Sequence, residues 1–123
     1  MKTNIISPKR HAILDYALAG SLLALPSLLK MNKTARLIYA TEAAVLLPYI
    51  ALTKHPVAIK GLIPFKMHKK IDPFNVAQFA GQTLLPAFKN NKKELIFNIA
   101  FTAIAGLTVF LTDWKAGKAS HLN

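Results

Sequence analysis

The chain has 123 residues, which bounds it to one domain, and it has no cysteine, which excludes a disulfide framework and thiolate metal or redox chemistry. It is 53% hydrophobic yet carries a formal charge of +11, from 16 Lys+Arg against five Asp+Glu. A basic soluble domain usually points to nucleic acid, but here the basic residues avoid four long apolar runs, and that pattern points to a membrane instead.

The runs are Ala12–Leu29, Ala35–Thr53, Pro73–Phe88 and Leu95–Thr112, of 18, 19, 16 and 18 residues, and Asp15, Arg36 and Glu42 are the only charged side chains in them. A bilayer core of about 30 Å needs roughly 17–25 helical residues, so each run with its capping turns predicts a transmembrane helix. A soluble basic helical bundle, the competing reading, would need a polar face on every helix. The first, second and fourth runs have none.

Ser7-Pro8 predicts a helix start, with Ser as N-cap and Pro at the first helical position. The weakly basic, apolar first 30 residues are expected to be a retained helix rather than a cleaved signal, with Pro26 kinking or ending it near Leu25. A basic turn follows, holding Lys30, Lys33 and Arg36, with Thr34 as the next cap; Pro48 predicts a kink in the second helix. The segment 55–70 is too broken by Pro56, Gly61 and Pro64 to span and alternates apolar residues with lysines, so it is expected in the headgroup layer. Asp72-Pro73 predicts the third helix start, and Pro86 its end. The fourth helix runs after FKNNKKE and ends at Trp114, an interfacial anchor.

Lys and Arg on the side of the N-terminus, the long middle loop and the C-terminal tail number three, five and two, against three in each short turn. Basic loops stay inside. The expectation is a multi-pass membrane protein with both termini cytoplasmic.

KRHAILDY from Lys9 and KMHKKIDP from Lys66 both read Lys-x-His-x-x-x-Asp, at a constant offset of 57. Residues 8–54 and 64–114 each run Pro, basic residue, His, Asp, apolar helix, Pro, basic turn, apolar helix. Two-helix units in tandem both start on the same membrane face, which predicts parallel repeats about an axis along the membrane normal. The chain resembles the SPW-repeat family of small bacterial integral membrane proteins, on SPKRHAILDY with LALPSLL and on GLIPFKMHKKID with TLLPAF. It departs from that pattern at 25–27, now Leu-Pro-Ser, at 85–87, now Leu-Pro-Ala, and at Pro73. The resemblance implies an integral protein of a bacterial inner membrane built of two helix-pair repeats. With the elements above, the expected fold is all-α, a four-transmembrane-helix bundle of two parallel hairpin repeats with an interfacial segment between them, in a single domain over residues 1–123. The family carries no established activity. DoxX-type four-helix membrane proteins, some of them linked to respiratory electron transfer, are a looser likeness.

His11 and Asp15, like His68 and Asp72, sit four apart and so share a helix face. They read first as structural pairs at the helix starts. Gathered at the repeat axis, the four could handle protons, contact lipid headgroups or take a first-row metal. Asp72 as an N-cap would be less free to ligate, so no metal and no cofactor is called for. Glu42 lies about 10 Å deep in the second helix, where a charge costs on the order of 2.5–3.5 kcal/mol. It is expected to meet Gln78, Gln82, Asn98 and Thr102 as polar glue inside the bundle or towards a partner helix. Asn75, Gln78 and Gln82 form one stripe on the third helix, with Gly81 offering close approach. Lys54, Lys60, Lys66, Lys69 and Lys70 should bind anionic headgroups, at roughly 1 kcal/mol each. Nucleic acid is excluded, since that stretch interleaves only Phe65 with its lysines, and no phosphate loop, nucleophile elbow or zinc spacing is present. The expected role is a non-catalytic accessory or scaffolding subunit. The alternative is a small redox- or proton-linked subunit handling a quinone, haem or protons through Glu42 or the His–Asp pairs.

Overall fold

A computed structural model describes residues 5–53 and 58–112. Among these there are five helices and no β-strand: α1 (Pro8–Leu28), α2 (Lys33–Leu52), α3 (Phe65–Gln82), α4 (Pro86–Lys89) and α5 (Lys92–Leu111). The chain is all-helical, and α1, α2 and α5 are each long and apolar enough to cross a membrane.

The first helix starts where its sequence signal lies. Ser7 Oγ accepts the Arg10 backbone N–H at 3.2 Å, and Pro8 needs no partner at the first helical position. Pro26 does not end α1, which runs on to Leu28. The helix closes in a Schellman turn: Lys30 N–H donates to the Ser27 carbonyl and Met31 N–H to that of Pro26, with Lys30 left-handed at φ 54°. Asn32, not Thr34, caps α2, its side-chain oxygen accepting the Ala35 N–H at 2.8 Å. Pro48 lies inside α2, which continues to Leu52.

The third apolar run does not make a helix of its own. Helix α3 begins at Phe65, eight residues before Pro73, so the headgroup segment gives up residues 65–70 to it. The anchors are Phe65 and His68, both buried, while Lys66, Lys69 and Lys70 point outwards. Burying those two faces outweighs the local start signal at Asp72-Pro73. At the other end α3 stops at Gln82, and Pro86 opens the short α4 instead of closing α3. Three lysines at its start and the polar stripe keep α3 out of the set apolar enough to span.

Consecutive long helices pack together, α1 with α2 and α3 with α5. Two backbone bridges then tie one end of the molecule together. Ile6 N–H donates to the Leu111 carbonyl at 2.9 Å, and Ile63 N–H to that of Leu52 at 2.8 Å. Each links the residue just before one helical pair to the end of the other pair. The apolar core lies between the helices towards the opposite end and is built on Leu22, Tyr39, Phe79, Phe88 and Phe101. Large apolar side chains face outwards on the long helices, among them Leu23, Val45, Ile99, Leu107 and Phe110.

Candidate functional site

Because α1 starts at Pro8 and α3 at Phe65, His11 and His68 are each the fourth residue of a helix, and Asp15 and Asp72 each the eighth. Asp72 is therefore no N-cap, contrary to the sequence expectation. It lies inside the helix, one turn beyond His68 on the same face, with its carboxylate free to reach across. Both histidines and Asp72 are buried, and Asp15 is half-buried.

The four side chains converge into a closed ring in which nitrogen and oxygen alternate. His11 Nε2 lies 3.0 Å from Asp15 Oδ2 and 3.0 Å from Asp72 Oδ2. His68 Nε2 lies 3.1 Å and 2.9 Å from the same two oxygens. Each imidazole thus addresses one carboxylate on its own helix and one on the other. The rings meet edge to face, 5.4 Å between centroids at 82°.

The outer nitrogens are held alike. Thr112 donates its hydroxyl proton back to the Thr108 carbonyl, and its oxygen lies 2.5 Å from His11 Nδ1. Thr53 donates to the Tyr49 carbonyl at 2.7 Å, and its oxygen lies 2.9 Å from His68 Nδ1. A hydroxyl has one proton to give. With that proton committed to a carbonyl, each threonine accepts from the ring, so Nδ1 carries hydrogen on both histidines. Tyr49 adds a further support, donating to Asp72 Oδ1 at 2.8 Å and stacking on His68 at 4.4 Å between centroids. Chemically, Nε2 and Oδ2 can then be reconciled in two ways. Either the ring holds protons, as imidazolium facing carboxylate or as carboxylic acid facing a bare imidazole nitrogen, or a cation sits between the four atoms.

A second polar cluster crosses the bundle further along. Gln78 Nε2 donates to Glu42 at 2.6 Å and Gln82 Nε2 to Asn98 Oδ1 at 2.8 Å, while Tyr39 donates to the same Asn98 oxygen at 2.7 Å. Asn98 Nδ2 donates to the Phe79 carbonyl at 2.9 Å and to Thr83 Oγ1 at 2.8 Å. That carbonyl is exposed to need because Thr83 N–H turns back to Ala80, ending the helical ladder of α3. Glu42, Gln78, Gln82 and Asn98 thus come together as the sequence suggested. Thr102 does not join them: its buried hydroxyl has no partner among the described residues and lies beside Ala80 and Gly81. Gly81 makes no close approach, since a Cβ there would meet nothing within 4 Å. Glu42 and Gln78 also line a shallow groove with Thr41, Val45 and Asn75, open to the side of the bundle.

Lys60, Lys66, Lys69 and Lys70 are exposed at the end that carries the His–Asp ring. Lys54 and Trp114 lie outside the described residues. Sequence reasoning missed Thr53, Thr112, Tyr49 and Tyr39. The two threonines did leave a signal, since they close the second and fourth apolar runs at nearly the repeat offset. It also missed Glu94, which is buried at the far end and accepts both the backbone and side-chain N–H of Asn32, at 2.8 and 3.0 Å. Compared with protein-family models, curated proteins and solved structures, the chain matches none.

Proposed function

We propose that the chain is a multi-pass protein of a bacterial inner membrane, a four-helix bundle of two parallel hairpin repeats, acting as a non-catalytic accessory or scaffolding subunit of a larger membrane complex. In this reading α3 and α4 together make the fourth crossing, with their lysines gathered at the two ends. Support for the duplication comes from contacts that recur in pairs: Ile6 with Leu111 and Ile63 with Leu52, His11 with Thr112 and His68 with Thr53. The excess of positive charge on the end with the ring favours the cytoplasm for that end and for both termini. Its exposed lysines suit an anionic leaflet.

The observation that carries the subunit role is the open side of the second cluster. Gln78 is exposed and Glu42 half-buried, and both face the flank of the bundle. A carboxylate and an amide left against hydrocarbon are costly, and a neighbouring helix with a polar residue at that depth removes the cost. Pull-down in a mild detergent followed by mass spectrometry tests the role. A stoichiometric membrane partner is expected, and recovery of this chain alone would overturn it. A redox- or proton-linked subunit is the second reading, and the buried His–Asp ring is what favours it. An absorbance spectrum of the purified protein tests its cofactor-bearing form, because a bound haem or flavin absorbs in the visible range.

A further inference from the structure

The ring of four has a feature that two ordinary ion pairs do not require. Each imidazole nitrogen is close to equidistant from two carboxylate oxygens, 3.0 and 3.0 Å for His11 and 3.1 and 2.9 Å for His68. Each carboxylate in turn gives the same oxygen, Oδ2, to both imidazoles. The donor atoms therefore aim at a common centre rather than at one another in pairs. One donor atom from each residue lies within 4.8 Å of all the others. Neighbouring donors 2.9–3.1 Å apart with no pair beyond 4.8 Å enclose a point at roughly the 2.0–2.2 Å bond length of imidazole nitrogen and carboxylate oxygen to a divalent transition metal.

The surroundings complete the case. A metal-bound histidine offers a bare nitrogen to the ion and uses its other N–H to hold an acceptor, which fixes tautomer and ring orientation. Thr112 and Thr53 are acceptors of that kind, because each spends its own proton on a carbonyl. Tyr49 holds the far oxygen of Asp72, leaving Oδ2 for the centre. Two neutral imidazoles and two carboxylates around one divalent cation carry no net charge, which suits a site buried among helices. The sequence objection, that Asp72 would be engaged as an N-cap, does not hold in a helix that begins at Phe65.

We propose that His11, Asp15, His68 and Asp72 form a structural site for one divalent first-row transition metal, of the Zn²⁺ class, which staples α1 to α3. All four positions are filled by protein, as in closed structural sites, so no open position is left for catalysis. Mixed nitrogen and oxygen donors suit such an ion better than Ca²⁺ or Mg²⁺, which prefer oxygen alone. The staple is independent of any partner complex, and it does not conflict with a scaffolding role.

The test uses the full chain, stripped of metal by a chelator in detergent and titrated with Co²⁺. The expected result is one ion per chain, the strong visible bands of four-coordinate Co²⁺, their loss on adding Zn²⁺, and a rise in the unfolding temperature with bound ion. Asp15→Asn should abolish the bands. Thr53→Val, which leaves all four ligands in place, should weaken binding about 10- to 100-fold. Glu42→Gln, a carboxylate away from the ring, should leave the titration unchanged. Absence of bands in the wild-type chain up to millimolar Co²⁺ would mean that the ring holds only protons, and would overturn the proposal without reference to any variant. So would equal binding by wild type and Asp15→Asn.

Discussion

Replacing Asn98 with leucine tests whether one buried amide holds the end of α3. Asn98 is fully buried and makes all the hydrogen bonds its side chain can make: two donated, to the Phe79 carbonyl and Thr83 Oγ1, and two accepted, from Gln82 and Tyr39. Leucine has a similar shape and none of these bonds. Bonds between membrane helices contribute about 0.6 kcal/mol each on average, and at most about 1.7, so four of them amount to roughly 2–3 kcal/mol. The loss also strands the Phe79 carbonyl, which the helix has already released, at a further ~1–3 kcal/mol. Gln82 can turn to Glu42, which lies 3.4 Å away, and recover part of its share. The net expectation is a loss of about 3–5 kcal/mol. Reversible unfolding in mixed micelles, followed by far-ultraviolet circular dichroism of the helices, measures it. Ile99→Ala, at a neighbouring position 54% exposed, serves as the control and should cost little against lipid or detergent. A loss below about 1 kcal/mol for Asn98→Leu would refute the idea that this residue closes the broken end of α3.

Lys30→Gly should stabilise the chain by up to about 1 kcal/mol, because Lys30 is left-handed in its Schellman turn and glycine adopts that conformation freely; the same unfolding assay reads it. Thr53→Val and Thr112→Val should each cost roughly 1–3 kcal/mol by leaving an imidazole N–H unanswered. The two losses should be alike, since the hydroxyls hold matching bonds, and a disparity above about 2 kcal/mol would speak against a duplicated site. Glu42→Gln should change stability by less than about 1 kcal/mol, because a neutral amide can keep the contact with Gln78. Disruption of an otherwise intact assembly's proton-coupled activity by that substitution would move Glu42 from packing to chemistry.

What the sequence made legible was whatever depended on neighbours in the chain. Ser7-Pro8 sets the start of α1 because an N-cap and its proline act within one turn. The matched spacing of His and Asp placed each pair on one helix face, since i and i+4 always share a face. Legibility failed where a local signal met a distant one. Asp72-Pro73 reads as a helix start, and the chain overrides it because Phe65 and His68, a turn and more upstream, are buried against other helices. The helix can pass through Pro73, which removes only one backbone bond, to the carbonyl of Lys69 in the exposed basic stretch. The same blindness hid Thr53 and Thr112. Their role needs the end of one helical pair to touch the start of the other, and no spacing within either pair encodes that contact.

That single displaced helix start governs the chemistry of the whole site. With α3 beginning at Pro73, Asp72 would spend its carboxylate on its own backbone, and the ring would lose a corner. Beginning at Phe65 puts Asp72 at the position in α3 that Asp15 holds in α1. Four donors can then close around one point, with each hairpin supplying one histidine and one aspartate. Each helical pair also closes the other's half: Thr53 ends the pair begun by α1 yet holds His68 of α3, and Thr112 ends the pair begun by α3 yet holds His11 of α1. Neither half can complete its site alone. The polar centre therefore acts as the fastening between the hairpins, and its integrity should track their association more closely than the stability of either helix pair.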